Sequence, residues 1–532
     1  MLYNLKNEIY AITCQNPMDI RNRSSFSHEL TAMLTNDPEH KPNWKIVNLK
    51  KLKISHYMRT FLFFIVISLT FSSLYGQMTQ KNRVIILTDI EADPDDTQSL
   101  IRLLLYSNEI EIKGLIATTS CWHKTMVNPE SIKKIVQAYE KVQPNLVKHD
   151  KNYPKAETLF PMIKQGLPVY GMLGVGKNKD SEGSDWIIKE LEKDDERPLW
   201  ISIWGGSNTL AQALFKIKNS KTEKEQKVLI SKLRVYAISD QDDSGIWIRN
   251  NFPDLFYIVS PGDDYGSATW SGINSFIQEI DNSKISNKWI AENIQQFHGP
   301  LGAAYPDVAW GMEGDTPSFL SLINNGLNNS ERPEWGGWGG RYELYKPDFS
   351  TQIKSGSGVP FEPETRKIWT NAVDNYVPYI SSDYGRAVKM DTNSFKDNKV
   401  TLWRWRDDFQ NDFAARMDWC TKSFNESNHA PVIVLSQPEQ ITVKSGQGFG
   451  LDAFDTYDPD GDSFSFLWFN YPEAGTYKNL VKIEGAENTH GAYIIAPKVD
   501  KEVTAHFILK VTDKGEPPLS SYKRIIVTIK PY

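Results

Sequence analysis

A run of acidic residues near position 90 is the densest group of potential metal ligands in this 532-residue chain. The segment Thr88–Asp96 reads TDIEADPDD and carries five carboxylates, which would repel one another strongly if they stayed unpaired. A hard cation such as calcium, which takes roughly six to eight oxygen ligands, removes that repulsion. Acidic residues also complement the dipole of a helix N-terminus, but that alternative accounts for only one or two of the five. The pattern therefore predicts a calcium site.

The sequence around this segment predicts the elements that must position it. Short apolar segments, which we interpret as strands, alternate with amphipathic helices such as Thr97–Tyr106 and Glu130–Lys141. The predicted strands are Val84–Leu87, Ile112–Ala117, Pro168–Gly171, Leu199–Trp204, Leu233–Ile238 and Leu255–Val259. This alternation predicts an α/β domain, spanning residues 81–424, with a mostly parallel open sheet flanked by helices. Ligands bind such sheets beyond the carboxyl ends of the strands, where the acidic segment lies.

Four segments, taken in order, resemble the inosine-uridine-type nucleoside hydrolases. The acidic segment is similar to their Asp-x-Asp-Pro-Gly-x-Asp-Asp signature, which opens the first βα unit. LPVYG at 167–171 and GGSNTLA at 205–211 are similar to a later strand and a later loop of that family, and Gly314-Asp315 stands where a His-Asp pair is expected. The chain also resembles a group of secreted, nucleoside hydrolase-like proteins with a C-terminal β domain, some of which carry a cellulose-binding label.

The resemblance implies a calcium-dependent hydrolytic site. Its metal ligands would be the carboxylates of Glu91, Asp95, Asp96 and Asp315 and the carbonyl of Ser207. Glu91 would also take a proton from the attacking water, and Asp95 would hold a sugar hydroxyl. Water would then attack the anomeric carbon directly, which predicts inversion. Asn208 would orient the loop and contribute to substrate binding.

Departures from the family pattern bear on the substrate. Glu91 replaces the catalytic Asp, Gly314 replaces a histidine that assists the leaving group, and Thr118–His123 replaces a Gly-Asn turn. The half of the site that binds metal and hydroxyls is kept, whereas the half that would hold a nucleobase is not. We therefore expect a glycoside other than a purine or pyrimidine nucleoside.

Further residues are candidates for the altered half of the site, and each has a structural alternative. His298 is a candidate catalytic residue because Asp315 follows it closely, although it could equally pack elsewhere. The candidate substrate-binding residues are Trp122, His123, Asp243 and Trp338, where aromatic faces could stack on a sugar. Packing, or a solvated turn in the case of Asp243, is the competing interpretation.

The C-terminal hundred residues form a separate predicted unit. Residues 430–532 contain alternating apolar segments, and their turns predict a small all-β Ig-like or PKD-like sandwich. Asp458–Asp462 reads DPDGD, which turn chemistry explains and which could also hold a structural calcium.

The N-terminal region predicts export. Residues 58–76 have one arginine, an apolar run and a small-residue end, typical of a secretory signal peptide, so a secreted or periplasmic location is expected. Residues 1–57 are interpreted as a non-native or disordered extension that precedes the true start. A membrane anchor at 58–76 is the alternative, but stable membrane association is not expected after cleavage.

Two main functions remain from sequence. The first is a secreted, calcium-dependent hydrolase of N- or O-glycosidic bonds that acts on small glycosides or oligosaccharides. The second is a carbohydrate-binding protein, with a cellulose-like polysaccharide as partner and a non-catalytic domain of the same fold; a structural or adhesive surface protein is a weaker third. The net charge of −6, with no long basic stripe, argues against a nucleic-acid partner.

Overall fold

The computed structural model describes residues 80–351, 356–360, 362–380, 389–390 and 394–532. The predicted extension at 1–57 and the predicted signal peptide at 58–76 lie outside these residues. Within the described ranges, no helix is both long enough and apolar enough to cross a membrane. Residues 79–532 form one compact unit that contains both predicted domains.

The α/β domain begins with alternating strands and helices, as expected. Its elements, in chain order, are β1 (Asn82–Thr88), α1 (Asp95–Leu105), β2 (Ile110–Ala117), α2 (Pro129–His149), α3 (Ala156–Leu159), β3 (Ile163–Gln165), α4 (Glu182–Leu191), β4 (Leu199–Ile203), α5 (Asn208–Ser220), α6 (Glu223–Lys232), β5 (Leu233–Ala237), α7 (Ser244–Asn251) and β6 (Phe256–Val259).

The second half of this domain is more irregular. It contains α8 (Ala268–Asn274), α9 (Asn287–Ile290), α10 (Gly299–Ala303), α11 (Pro317–Leu320), β7 (Tyr342–Tyr345), β8 (Ile368–Asn371), β9 (Asp374–Tyr376), β10 (Tyr379–Ile380), β11 (Lys389–Met390), β12 (Phe395–Asp397), α12 (Val400–Trp403) and α13 (Arg406–Asp418).

Eight strands form the central sheet in the order β3-β2-β1-β4-β5-β6-β8-β7. All neighbouring pairs are parallel except β7 with β8. The apolar side chains of β1 are buried because helices cover both faces of the sheet. Strand order reverses between β1 and β4, so a crevice opens where the loops after these two strands diverge. The α/β fold predicted from sequence is confirmed.

One predicted strand is wrong. Pro168–Gly171 does not pair with the sheet, and the third strand is Ile163–Gln165 instead. Gly171 has a φ of 55° and begins a short 3-10 helix at Gly171–Gly174. Proline and a left-handed glycine disfavour a regular strand, which is the physical reason for the difference.

The C-terminal part is an all-β sandwich, as predicted. Its strands are β13 (Gln440–Lys444), β14 (Gly448–Asp452), β15 (Phe464–Asn470), β16 (Ile483–Glu484), β17 (Gly491–Ile495), β18 (Val503–Asp513) and β19 (Ser520–Lys530). They form a four-stranded sheet, β13-β19-β18-β15, and a three-stranded sheet, β14-β17-β16. Apolar side chains from both sheets, including Trp468, Phe507 and Ile494, are buried together between them.

This β module packs firmly on the α/β domain. Asp408 of α13 accepts hydrogen bonds from Lys510 Nζ, at 2.6 Å, and from the hydroxyl of Tyr522. Trp405 contacts the rings of Tyr471 and Tyr522. A partly buried ion pair and neighbouring aromatic rings therefore connect the two parts.

Candidate functional site

Five loops meet at the carboxyl end of the sheet. They follow β1, β2, β4, β5 and β6, and hydrogen bonds link them. The Gly206 N–H, after β4, donates to the Thr119 carbonyl, after β2, at 2.8 Å. Asn208 binds two neighbours as well: its backbone N–H donates to Asp242 Oδ2 at 3.2 Å, and its side-chain Nδ2 donates to Thr119 Oγ1 at 2.9 Å. The carboxyl edge of the sheet is thus one connected surface.

The contacts of Asn208 are those expected of a residue that orients the loop. Its Nδ2 also donates to the Val169 carbonyl at 2.8 Å, and its Oδ1 accepts from Thr118 Oγ1 at 2.9 Å. With all these contacts made inside the protein, the Asn208 side chain fixes the loops against one another. Both hydrogens of Nδ2 are engaged, so binding of substrate by this side chain, also expected from sequence, would use the second lone pair of Oδ1.

A cluster of aspartates lies at the center of this edge. Carboxylate oxygens of Asp93, Asp95 and Asp96 lie within 4.8 Å of one another. Asp315, just before α11, lies beside the same group, since the preceding Gly314 lies against the Trp270 ring that binds Asp95, and the Thr316 hydroxyl donates to Ser99 of α1 at 2.9 Å. Asp315 is 3% exposed, and its Oδ2 has no hydrogen-bond partner among the described residues. We call Asp93, Asp95, Asp96 and Asp315 the aspartate cluster.

The buried carboxylates of the cluster cannot all be ionised at once without a counter-charge. Burial, reinforced by the neighbouring carboxylates, raises the pKa of Asp95, Asp96 and Asp315 well above the usual range. Burial also raises the pKa of the adjacent Asp89 to about 6, against the opposing effect of a hydrogen bond with Ser120. These carboxylates therefore resist ionisation together unless a cation or protons neutralise them.

The donor set fits calcium. The cluster offers only hard oxygen ligands, and its orphaned Asp315 Oδ2 is the kind of buried atom that a cation would satisfy. Asp96 is held by the Thr88 hydroxyl, and Asp95 Oδ2 accepts from Trp270 Nε1 at 2.9 Å. The predicted ligands Asp95, Asp96 and Asp315 are therefore brought together.

The two other predicted ligands are Glu91 and the Ser207 carbonyl, and only Glu91 departs from its predicted place. Glu91 is exposed, has a φ of 81°, and is not one of the three clustered acids near β1. Asp93 takes that place, because its Oδ1 accepts the Asp95 N–H at 3.1 Å and so turns its carboxylate toward α1. The Ser207 carbonyl accepts the Ala211 N–H at 2.9 Å in the first turn of α5, which leaves one lone pair for a ligand.

Trp270 of α8 occupies the space next to Gly314. A Cβ atom at position 314 would overlap Nε1 of the indole, so only glycine fits beneath this ring. The indole thereby fills the space beside the position where the family's histidine was expected, and it presents its N–H to Asp95. Glycine at position 314 and the position of the Trp270 ring are therefore structurally linked.

Aromatic residues extend from this point along the rim. The Trp270 ring meets Tyr265 edge-on, with centroids 5.9 Å apart, and the Tyr265 hydroxyl accepts from Trp122 Nε1 at 3.1 Å. Trp122 is 55% exposed, and Trp310 is 82% exposed one residue before Gly311, which approaches the Trp270 ring. We call Trp122, Tyr265, Trp270 and Trp310 the aromatic rim. The expectation that Trp122 lies near the site agrees with this geometry.

His123 and the Asp240–Asp243 loop complete the edge. His123 is half-buried, and its Nδ1 has no partner within the described ranges. Asp243 Oδ1 accepts the Met172 N–H at 2.7 Å, so this carboxylate holds a neighbouring loop. Asp242 is the buried acid here, and burial raises its pKa to about 6. Asp240 is paired with Arg249 at 2.8 Å.

Two candidate residues lie away from the aspartate cluster. His298 Nε2 contacts Asp418 Oδ1 at 3.1 Å, and Gly299 beside it approaches Val142. Val142 lies about 20 Å along α2 from Asn128, which binds the Ile90 carbonyl at the acidic loop. Trp338 is 2% exposed and packs on Phe409 and Tyr522. His298 as a catalytic residue and Trp338 as a sugar platform are corrected, because other contacts bury both.

The sequence does not indicate Trp270 or Tyr265 as residues of the site. Trp270 contacts Asp95 across 175 positions of sequence, so no local pattern could reveal that contact. The one available signal was Gly314 itself, since an unexpected glycine often marks a place where another group approaches closely.

Known protein families match both parts of this chain. The family described as cellulose-binding Sde182, nucleoside hydrolase-like domain, matches residues 83–342, and the family described as cellulose-binding protein Sde0182, C-terminal domain, matches residues 448–529. A solved nucleoside hydrolase-related hypothetical protein from Saccharophagus degradans, described as associated with carbohydrate metabolism, is 34% identical. That alignment covers 85% of this chain and 100% of that chain, with a TM-score of 0.70.

Other comparisons add little. The PKD domain from KIAA 1837 protein is 24% identical over 17% of this chain and 78% of that chain, but its TM-score of 0.13 is too low to support an inference. A search of curated proteins found no match.

Proposed function

Because this chain belongs to the family of cellulose-binding Sde182-type proteins with a nucleoside hydrolase-like domain, we propose that it binds a carbohydrate through calcium and hydrolyses a glycosidic bond. The observation that carries the proposal is the aspartate cluster with its unpaired Asp315 Oδ2, at the edge where the sheet changes strand order. Calcium bound there would hold sugar hydroxyls and lower the pKa of a water molecule.

The protein's own residues would prepare the site as follows. Asp95, Asp96 and Asp315 would hold the ion, and the Trp270 N–H and Thr88 hydroxyl keep two of these carboxylates oriented. Orientation matters because a ligand that is already fixed loses little conformational freedom on binding. Asp89 stands behind them as a further buried acid.

Asp93 is the favoured base in this proposal. It lies within the cluster and is only half-buried, so it can reach both the bound sugar and solvent. It would accept a proton from the water that attacks the anomeric carbon, and direct attack would invert that carbon. Glu91, the base expected from the family signature, is exposed and lines a surface depression together with Asp93 and Thr97.

The aromatic rim supports a sugar substrate over a nucleoside. Apolar sugar faces stack on exposed aromatic rings, and Trp122 and Trp310 offer such rings on one side of the cluster. Trp270 fills the space where a residue that assists a nucleobase would stand. The cellulose-binding label of the family and the carbohydrate association of the relative point to the same class.

Carbohydrate binding without hydrolysis is the second candidate. It is favoured by one observation: Glu91, which occupies the family's catalytic position, is exposed and lies outside the clustered acids. In that case calcium and the aromatic rim would retain a glycan, and no base would be needed.

A screen separates the two candidates. Cello-, xylo- and algal oligosaccharides, together with inosine and uridine, are incubated with the full-length protein in calcium or in EDTA, and released sugars are measured. Calcium-dependent release from an oligosaccharide supports hydrolysis. Calcium-dependent binding with no product from any substrate supports the binding function. Efficient cleavage of inosine would contradict the proposed substrate class.

A further inference from the structure

The turn Asp458–Asp462 in the β module forms a second acidic group, far along the chain from the aspartate cluster. We propose that this turn, together with Asn428 and Asp513, is a calcium site. The bound ion would fasten the linker between the two parts of the protein, residues 425–429, to the β module. The proposal is independent of the proposed catalytic function, since it uses none of the same residues.

The turn alone already gathers three carboxylates. Oxygens of Asp458, Asp460 and Asp462 lie within 4.8 Å of one another. Asp458 Oδ1 accepts the backbone N–H groups of Asp460 and Asp462 at 2.9 and 3.1 Å, and Gly461 has a φ of 83°. Ordinary turn chemistry explains these hydrogen bonds to Oδ1. It does not explain Asp458 Oδ2, which is buried and has no hydrogen-bond partner in the described part of the chain.

Asp513 supplies the observation that points to a ligand. It is 1% exposed, and its Oδ1 accepts three N–H donors: Asn428 Nδ2, Gly515 N and Leu519 N, at 2.9–3.0 Å. Its Oδ2 accepts none from the described residues. Asp513 lies beside the turn, because it pairs with Phe464 across the sheet, and the next residue, Lys514, donates its N–H to the Ser463 carbonyl at 2.9 Å. A buried carboxylate oxygen without a donor is costly unless a cation satisfies it.

Asn428 brings a neutral oxygen next to Asp513. Its Nδ2 donates to Asp513 Oδ1 at 3.0 Å and to the Pro517 carbonyl at 2.8 Å, so the orientation of the amide is fixed. Its Oδ1 is buried and has no partner among the residues described. The next residue, His429, donates its N–H to Asp460 Oδ2 at 2.7 Å, which holds the linker against the turn.

These oxygens suit calcium in type and number. Four carboxylates and one amide, from three separate segments, could supply five protein ligands, and water would complete the roughly six to eight that calcium takes. Magnesium usually keeps several waters and uses one or two carboxylates, so it fits this set less well. The linker is also tied to the α/β domain, since Trp419 Nε1 donates to the Asn428 carbonyl at 3.1 Å. Calcium here would therefore strengthen the junction.

Calcium binding to the full-length chain tests the proposal directly. Equilibrium dialysis uses the Asp96→Asn variant, which disables the aspartate cluster, at about 2 mM free calcium, above the roughly 10⁻⁴–10⁻³ M range of weak extracellular sites. We expect one bound ion. Adding Asp458→Asn and Asp513→Asn should remove it, whereas the control Asp455→Asn, at an exposed acid three residues before the turn, should retain it.

A stability measurement distinguishes the loss of calcium binding from misfolding of the variant. Asp458→Asn keeps the Oδ1 acceptor of the turn, so this single variant should fold, and its Tm in EDTA should equal that of its parent. Its Tm should gain nothing from calcium, whereas the parent's should rise. The proposal is overturned if the Asp96→Asn chain binds no calcium, or if the variant with both added substitutions still binds one ion. Failure of the aspartate cluster would instead appear as unchanged binding when Asp96 alone is replaced.

Discussion

The indole ring of Trp270 lies so close to Gly314 that a single added methyl group at position 314 would overlap it. The same ring donates its N–H to Asp95 Oδ2 at 2.9 Å. Gly314→Ala should therefore displace the ring and remove a charge-assisted hydrogen bond worth about 1.5–3 kcal/mol. We expect calcium affinity at the aspartate cluster to fall about tenfold or more, measured by calorimetry. Gly450→Ala, in an open strand position of the β module, is the control, and equal affinity in both variants would refute the role given to Trp270.

The buried acids predict an unusual pH dependence. Asp89, Asp95, Asp96 and Asp315 all have raised pKa values in the folded protein, with that of Asp89 near 6. The folded state then holds protons that the unfolded state, with carboxyl pKa values of about 4, releases first. In EDTA, stability should therefore fall as pH rises from about 4 through 6.

Calcium should oppose this trend. It binds only the deprotonated carboxylates, so its stabilising effect should grow over the same pH window. Tm measured between about pH 4 and 7, with calcium and with EDTA, tests both statements. A calcium effect that stays constant over this range would mean that the raised acids do not hold the ion.

Replacing each candidate base separately identifies which carboxylate accepts the proton. Asp93→Asn should reduce turnover by about 10²-fold or more, the usual contribution of a positioned base, while oligosaccharide affinity changes less. Glu91→Gln, at an exposed position, should reduce turnover by less than about threefold. If Glu91→Gln abolishes turnover and Asp93→Asn does not, the base assigned from the family signature is right and ours is wrong.

The contact between the two parts of the protein should be essential for stability. Asp408 is buried and accepts hydrogen bonds from Lys510, Ser520 and Tyr522. Asp408→Ala leaves the Lys510, Ser520 and Tyr522 donors without their partner, so the free energy of unfolding should drop by about 1–3 kcal/mol in urea titrations. Asp407→Ala, next to it but largely exposed, should cost less than about 0.5 kcal/mol. Similar losses in both variants would show that the interface ion pair contributes nothing special.

The sequence predicts the frame of this molecule better than its site. The strands β1, β2, β4, β5 and β6 are apolar runs buried on both faces, so their pattern is unambiguous. The edge strand β7 reads YELY with three exposed residues, and it carries no comparable signal. Within the site, Asp95, Asp96 and Asp315 could be predicted because the first two belong to a compact motif and the third follows in order.

The rest of the site depends on contacts between distant segments. Glu91 matches the family signature in sequence, yet its left-handed backbone leaves it exposed, and Asp93 joins the cluster instead. Trp338 stands in a glycine-rich loop that reads as flexible, but the β module buries it. A local sequence pattern does not determine the direction in which a side chain points. It also does not show which surface another part of the chain will cover.

Isothermal titration calorimetry, with a soluble β-1,4-linked glucan oligomer titrated into the full-length protein, tests calcium-dependent carbohydrate binding most directly. Titrations are run in calcium, in EDTA, and in calcium with the Asp96→Asn variant, after circular dichroism has shown that the variant is folded. We predict binding in calcium and a loss of affinity of about tenfold or more in the other two conditions, because the sugar would be bound jointly by Asp96 and the ion. Equal affinity in all three conditions would contradict calcium-dependent carbohydrate binding at the aspartate cluster.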